Sequence, residues 1–159
     1  MERLLFGLII MAVFLGGFLS SYTLNSVYID KENPYFFSIK QGMQPGNWIK
    51  ENNIEVLPDR VVIHVKNADI SSYADTGSML PTLGENANGV RIKPESENQI
   101  KEGDIITYEN GDELIVHRVV AKGIDEQGTY FITKGDNNTE TDGKIYFKDV
   151  RYVTVALIY

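Results

Sequence analysis

Ser78 stands in a setting that suits a nucleophile. It lies within Asp75-Thr76-Gly77-Ser78-Met79-Leu80-Pro81-Thr82, a stretch with few other polar side chains. Gly77 can adopt a backbone conformation closed to other residues. Pro81 fixes its own φ and biases Leu80 towards an extended conformation. A hydroxyl held between two such constraints is aimed by the backbone, as an attacking group must be. The same residue types also make ordinary turns between strands. Two later segments bear on the choice. One is Ile115-Val116-His117-Arg118-Val119-Val120; the other is Lys134-Gly135-Asp136-Asn137-Asn138, with Asp142 close behind. Serine, histidine and aspartate fill the roles of nucleophile, general base and orienter. A serine hydroxyl is a poor nucleophile at neutral pH and needs a base within about 3 Å. An imidazole, with a reference pKa of about 6.5, can take that proton, and a carboxylate on its other nitrogen fixes the tautomer.

Taken together, these segments resemble the signal peptidase I family (peptidase S26). Gly77-Ser78-Met79-Leu80-Pro81-Thr82 is similar to its nucleophile box, Gly103-Asp104-Ile105-Ile106 to the short box that follows, and Lys134-Gly135-Asp136-Asn137-Asn138 to its last box. The resemblance covers residues 74–159. Bacterial members use a Ser-Lys dyad, with the lysine just before an arginine. Here His117 stands before Arg118, the pattern of the archaeal and endoplasmic-reticulum members with a Ser-His-Asp site.

The surrounding composition narrows the function classes. The chain has 159 residues, 22 acidic and 15 basic, for a net charge of −7. It has no basic run that could track a phosphate backbone, so nucleic acid is not an expected partner. The absence of cysteine excludes disulfides, thiolate metal sites and cysteine nucleophiles. The two histidines, His64 and His117, show no His-Glu-x-x-His spacing, so no metal site is expected.

The elements that must position the site come next. Residues 4–24 form an apolar run, and no charge occurs between Arg3 and Asp30. About 20 such residues in a helix span the ~30 Å hydrocarbon core. A cleavable leader needs small residues at two alternate positions after the run. Every register near Gly16 to Ser21 puts Phe or Leu in one of them, so a retained anchor is expected. Its short amino terminus would be cytoplasmic and the remainder extracytoplasmic, as the resemblance also implies. Residues 25–73 form a β-rich spacer with turn signals at Asn33-Pro34 and Gln44-Pro45-Gly46-Asn47, and short strands at 35–39 and 60–65. His64, in the second of these, is expected to be a half-buried structural residue. Family members usually place the serine box soon after the membrane helix, so this spacer departs from the pattern.

From residue 74 onward the pattern is β throughout. Strands are expected at 90–94, 105–108, 113–121, 129–133, 144–147 and 152–159, with a type I′ hairpin at Asn110-Gly111. Alternation puts Ile115, His117 and Val119 on one face, and Val116, Arg118 and Val120 on the other. No helical period occurs outside the anchor. The fold class is therefore mainly β. The resemblance implies the bent-sheet catalytic domain shared with self-cleaving repressor peptidases, LexA-like in form, behind one amino-terminal transmembrane helix.

The resemblance also implies roles. The aspartate after the last box maps onto Asp142 as orienter, with Asp136 in support. The Ser78 backbone N–H and the Thr76 hydroxyl, where the family has a serine hydroxyl, are candidate oxyanion donors. Met79 and Leu80 are candidate walls for substrate side chains, or plain core residues. No cofactor or metal is expected. The implied partners are signal-peptide-bearing pre-proteins and the lipid bilayer. The competing reading is an anchored β-domain, catalytically silent, that binds peptides or a partner protein.

Overall fold

The computed structural model describes residues 43–159. The expected anchor at 4–24 and strand at 35–39 lie outside the described residues. Among the described residues, no helix is long and apolar enough to cross a membrane.

A single turn at Glu51–Asn53 leads into β1 (Ile54–Val56) and β2 (Val61–Ile63), an isolated antiparallel hairpin. The remaining strands are β3 (Asp69–Ser72), β4 (Asn88–Ile92), β5 (Ile105–Asn110), β6 (Glu113–Asp125), β7 (Gly128–Lys134), β8 (Lys144–Tyr146) and β9 (Val150–Ile158). They form one antiparallel sheet in the order β3-β4-β9-β5-β6-β7-β8. The sheet thus begins within the 25–73 stretch.

β5 is the centre of the sheet. Ile105-Ile106-Thr107-Tyr108 are all buried, which requires cover on both faces. On one face Ile106 and Tyr108 join Ile100, Val119, Phe131, Val150 and Val153. On the other, Ile105 packs with Met79, Leu83 and Ala87. Each fully buried side chain of this size contributes about 1.5–3 kcal/mol. The second cluster draws Met79 into the core and so seats the Ser78 loop on the sheet.

The turns follow from backbone chemistry. The β5–β6 loop is a two-residue hairpin, because Asn110 pairs with Glu113. Positive φ falls on Gly111, and the only non-glycine with positive φ among the described residues is Asn67. That is a type II′ turn with glycine at its first central position, not the expected I′ turn with Asn110 inside the loop. β6 runs to Asp125, longer than its alternation suggested, because a bulge between Val119 and Ala121 resets its register against β7. His64 lies just past β2, not in a half-buried strand. Its side chain is 56% exposed and pairs with Glu55 at 2.9 Å. The strand is too short to carry it inwards.

A strap at Gln44–Trp48 is fixed to the start of β5. Asp104 is fully buried and accepts bonds from Gly46 N (2.6 Å), Trp48 Nε1 (3.0 Å) and Lys101 N (2.8 Å). Gly103 has φ +101, and a Cβ there would stand 2.7 Å from the Gln44 carbonyl carbon. Asp104→Ala removes the buried acceptor of these three partly buried bonds, so it should cost roughly 3 kcal/mol. Urea unfolding with Trp48 fluorescence checks this: a lower midpoint and a red-shifted native emission are expected, and an unchanged midpoint would refute it.

Candidate active site

Ser78 opens a tight turn between β3 and β4. Gly77 has φ +70, which only glycine adopts without strain. Leu80 N bonds back to Gly77 O, and Leu83 N to Met79 O at 2.9 Å, so the residues after Ser78 coil into a compact turn. The Leu80–Pro81 bond is cis.

The Gly135-Asp136-Asn137 segment clamps this turn from the other side. Asn137 N donates to Ser78 O at 2.9 Å, and Asn137 Nδ2 to Gly77 O at 3.1 Å. The approach is close enough that a Cβ on Gly135 would lie 2.6 Å from Ser78 O. The distance between these segments in the sequence is therefore removed by direct backbone bonding.

His117 lies on β6, with Ile106 of β5 as its cross-strand partner. β7 leaves β6 at the next residue, where Arg118 pairs with Lys134. The imidazole thus sits where the sheet opens. Its Nε2 is 3.2 Å from Ser78 Oγ, and its Nδ1 is 2.6 Å from Asp142 Oδ2. An ionised carboxylate only accepts, so Nδ1 carries the proton and Nε2 is left to accept. Thr133 Oγ1 donates to the same Asp142 oxygen at 2.8 Å, and Asp142 N bonds to Thr133 O at 2.8 Å. These bonds fix the carboxylate from β7. The His117 side chain is 9% exposed and that of Asp142 21%, so the pair is largely shielded from water.

The remaining sequence candidates fall into distinct places. Thr76 Oγ1 is 3.2 Å from Ser78 Oγ and accepts a long 3.4 Å bond from Ser78 N. Met79 is buried yet also lines a cleft of about 300 Å³, with Ala74, Thr76, Ser78, Leu83 and residues 113–117. Leu80 does not line this cleft; it is 45% exposed. Asp136 does not touch His117. It binds Arg118 through both oxygens, at 2.7 Å from Nε and 2.6 Å from Nη2, and accepts from Thr82 Oγ1 at 2.5 Å. Arg118 Nη1 also donates to Gly103 O at 2.8 Å. The alternation of β6 explains the split, since neighbours in a strand face opposite ways.

Neither lysine that could form a Ser-Lys pair reaches Ser78. Lys122 Nζ donates to Glu97 O and Ile100 O, and Lys134 Nζ to Asn138 O. Sequence reasoning missed Thr133 and Arg118. Thr133 shares the His117 face through its pairing with Val119. Its signal was the strand alternation of β7, which becomes usable only once the β6–β7 register is known.

Burial raises the Asp136 carboxyl, but the donors from Arg118 and Thr82 outweigh it and hold it below the usual carboxylate range. A depressed folded-state value means that its stabilisation is complete above the unfolded value, near pH 4, and is lost as pH falls through the folded one. Asp136→Asn should cost roughly 2–4 kcal/mol at neutral pH by leaving Arg118 uncompensated. The gap from the parent protein should close as pH falls below about 4. Denaturation series at several pH values test this; a gap that stays constant into acid would count against it.

No family profile matches the chain. No solved structure matches it either. The chain is 41% identical over 59 residues to the signal peptidase complex catalytic subunit SEC11 of Candida tropicalis, and equally to that of Candida dubliniensis. In both cases the match spans 36% of this chain and 36% of the relative. The chain thus spans about a third of the length of the curated relatives it matches, and over that segment it is similar to these signal peptidase catalytic subunits.

Proposed function

We propose that the chain is a membrane-anchored serine endopeptidase that removes amino-terminal signal peptides from secreted pre-proteins. The observation that carries this reading is the continuous chain of contacts from Ser78 Oγ through His117 to Asp142, beside an open sheet edge. β6 pairs with β5 over Glu113–Arg118, but with β7 only from Arg118 onward. Among the described residues, no strand pairs with the other edge of 113–117, which borders the cleft. An extended peptide can add there as a further strand, held by main-chain hydrogen bonds.

His117 Nε2 takes the Ser78 proton as Oγ attacks the scissile carbonyl carbon. Asp142 holds the resulting imidazolium. The oxyanion is met by Ser78 N–H and the Thr76 hydroxyl, which lie together next to Oγ. The C–N bond breaks, and His117 returns its proton to the leaving amine. Water then hydrolyses the acyl-enzyme by the same route in reverse. The matched relatives are catalytic subunits of signal peptidase complexes, which supports the substrate class. Family substrates carry small side chains one and three residues before the cut, and shallow walls from Met79, Leu83 and Ala74 suit such groups. The apolar run at 4–24 supplies the anchor, and sharing a membrane with the substrate raises its effective concentration. Leu80 and Leu114, both exposed and flanking the site, are candidates for contact with the bilayer surface.

The test is cleavage of a full-length precursor by the full chain in detergent or liposomes. Ser78→Ala and His117→Ala should each lower the rate by about 1,000-fold or more while the fold persists. Lys122→Ala and Lys134→Ala should retain cleavage. Loss with the lysine variants but not with His117→Ala would shift the site to the Ser-Lys class. Cleavage indifferent to Ser78→Ala would favour a silent binding domain.

Gly135→Ala gives a second measurement. Its Cβ must push Ser78 away, so the rate constant should fall by about 100-fold with only a modest change in melting temperature. Wild-type turnover in this variant would show that the clamp does not set the position of Ser78.

A further inference from the structure

Tyr108 presents an unexplained group beside the candidate site. It is fully buried on β5, and its hydroxyl is the buried side-chain polar atom left without a hydrogen-bond partner among the described residues. A phenylalanine would fill the same space without stranding a donor, so the hydroxyl needs a reason to be there. The sheet register supplies its surroundings. Tyr108 pairs with Ile115, and Ile106 with His117, so Tyr108 and His117 share a face. Thr133 joins that face through Val119. The Thr133 hydroxyl on that face is itself bonded to Asp142. Burial pushes the phenol up, the Thr133 hydroxyl opposes this, and the charge of Asp142 adds to it.

We propose that Tyr108 is a positioning residue for the Asp142 carboxylate, completing a donor set with Thr133 that keeps Asp142 on His117 Nδ1. Thr133 spends its only hydroxyl proton on Asp142, so its own oxygen keeps free lone pairs. The Tyr108 O–H thus shares a face with a pair of acceptors that already belong to one network. A small settling of the 138–142 loop completes the bond. The network then runs from β5 through β7 to the base on β6, and each bond polarises the next. Its value arises when His117 becomes an imidazolium, because a carboxylate free to turn away would leave that charge without support.

This inference rests on the peptidase reading for its kinetic arm, and a second arm does not need it. In the full chain, Tyr108→Phe should lower kcat for precursor cleavage by about tenfold, with KM held within about twofold. Its melting temperature should fall by no more than a few degrees, since the ring stays buried and a single hydroxyl bond is lost. The downfield proton resonance of His117 Nδ1–H, assigned by its absence in His117→Gln, should shift or broaden. Thr133→Val combined with Tyr108→Phe should give a smaller loss than the product of the single losses, because both act on one carboxylate. Unchanged kcat with an unmoved Nδ1 resonance would overturn the proposal and reduce Tyr108 to packing. A moved resonance in a chain that shows no Ser78-dependent cleavage would uphold the positioning role while removing the peptidase reading. A resonance unmoved in a chain without that cleavage would end both.

Discussion

The guanidinium of Arg118 binds three segments at once. Its donors meet Asp136 in the last box, Gly103 O in the middle one and Thr82 Oγ1 at the end of the serine box. A planar fork with fixed donor directions suits this task, and a lysine ammonium could not reproduce the geometry. Arg118 follows His117 directly, so the residue that gathers the segments and the residue that faces Ser78 are placed by one strand. Opposite sides of β6 carry the two functions, one holding the frame and the other facing the cleft.

The parting of β6 and β7 gives the frame its opening. The two strands are paired as far as Lys134, opposite Arg118, and beyond it β7 turns away into Gly135-Asp136-Asn137-Asn138. That departure leaves a backbone edge free and brings the departing loop over the Ser78 turn. Sheet edges are usually blunted because they recruit other chains. Here the open edge lies in a cleft lined by Ser78, Met79 and Leu83. The same event therefore leaves an edge open beside the cleft and secures the Ser78 turn.

Much of this was legible in residue types. Alternation along β6 placed His117 and Arg118 on opposite faces before any coordinates were known. The Gly77-Ser78 turn and the β5 strand followed from glycine freedom and β-branched composition. Asp142 came only through family resemblance, because polar loops bring carboxylates near many strands. The pairing of Asp136 with Arg118 was not legible, since it depends on which side of a bulged strand meets which loop. Thr133 and Tyr108 were hidden for a similar reason. Each is an ordinary strand residue until cross-strand register is fixed, and register is a property of the assembled sheet. The hairpin at Gly111 shows the limit of dipeptide signals: Asn-Gly was present, but a one-residue difference in where pairing begins changed the turn type.

Asp104 and Gly103 have a mechanical meaning. The strap at Gln44–Trp48 is moored to Asp104, and the carbonyl of the adjoining Gly103 is held by Arg118. Any tug passed along the backbone to the strap thus arrives at the fulcrum that ties together the Ser78, Gly103 and Asp136 segments. The strap and the Ser78 frame share one bolt.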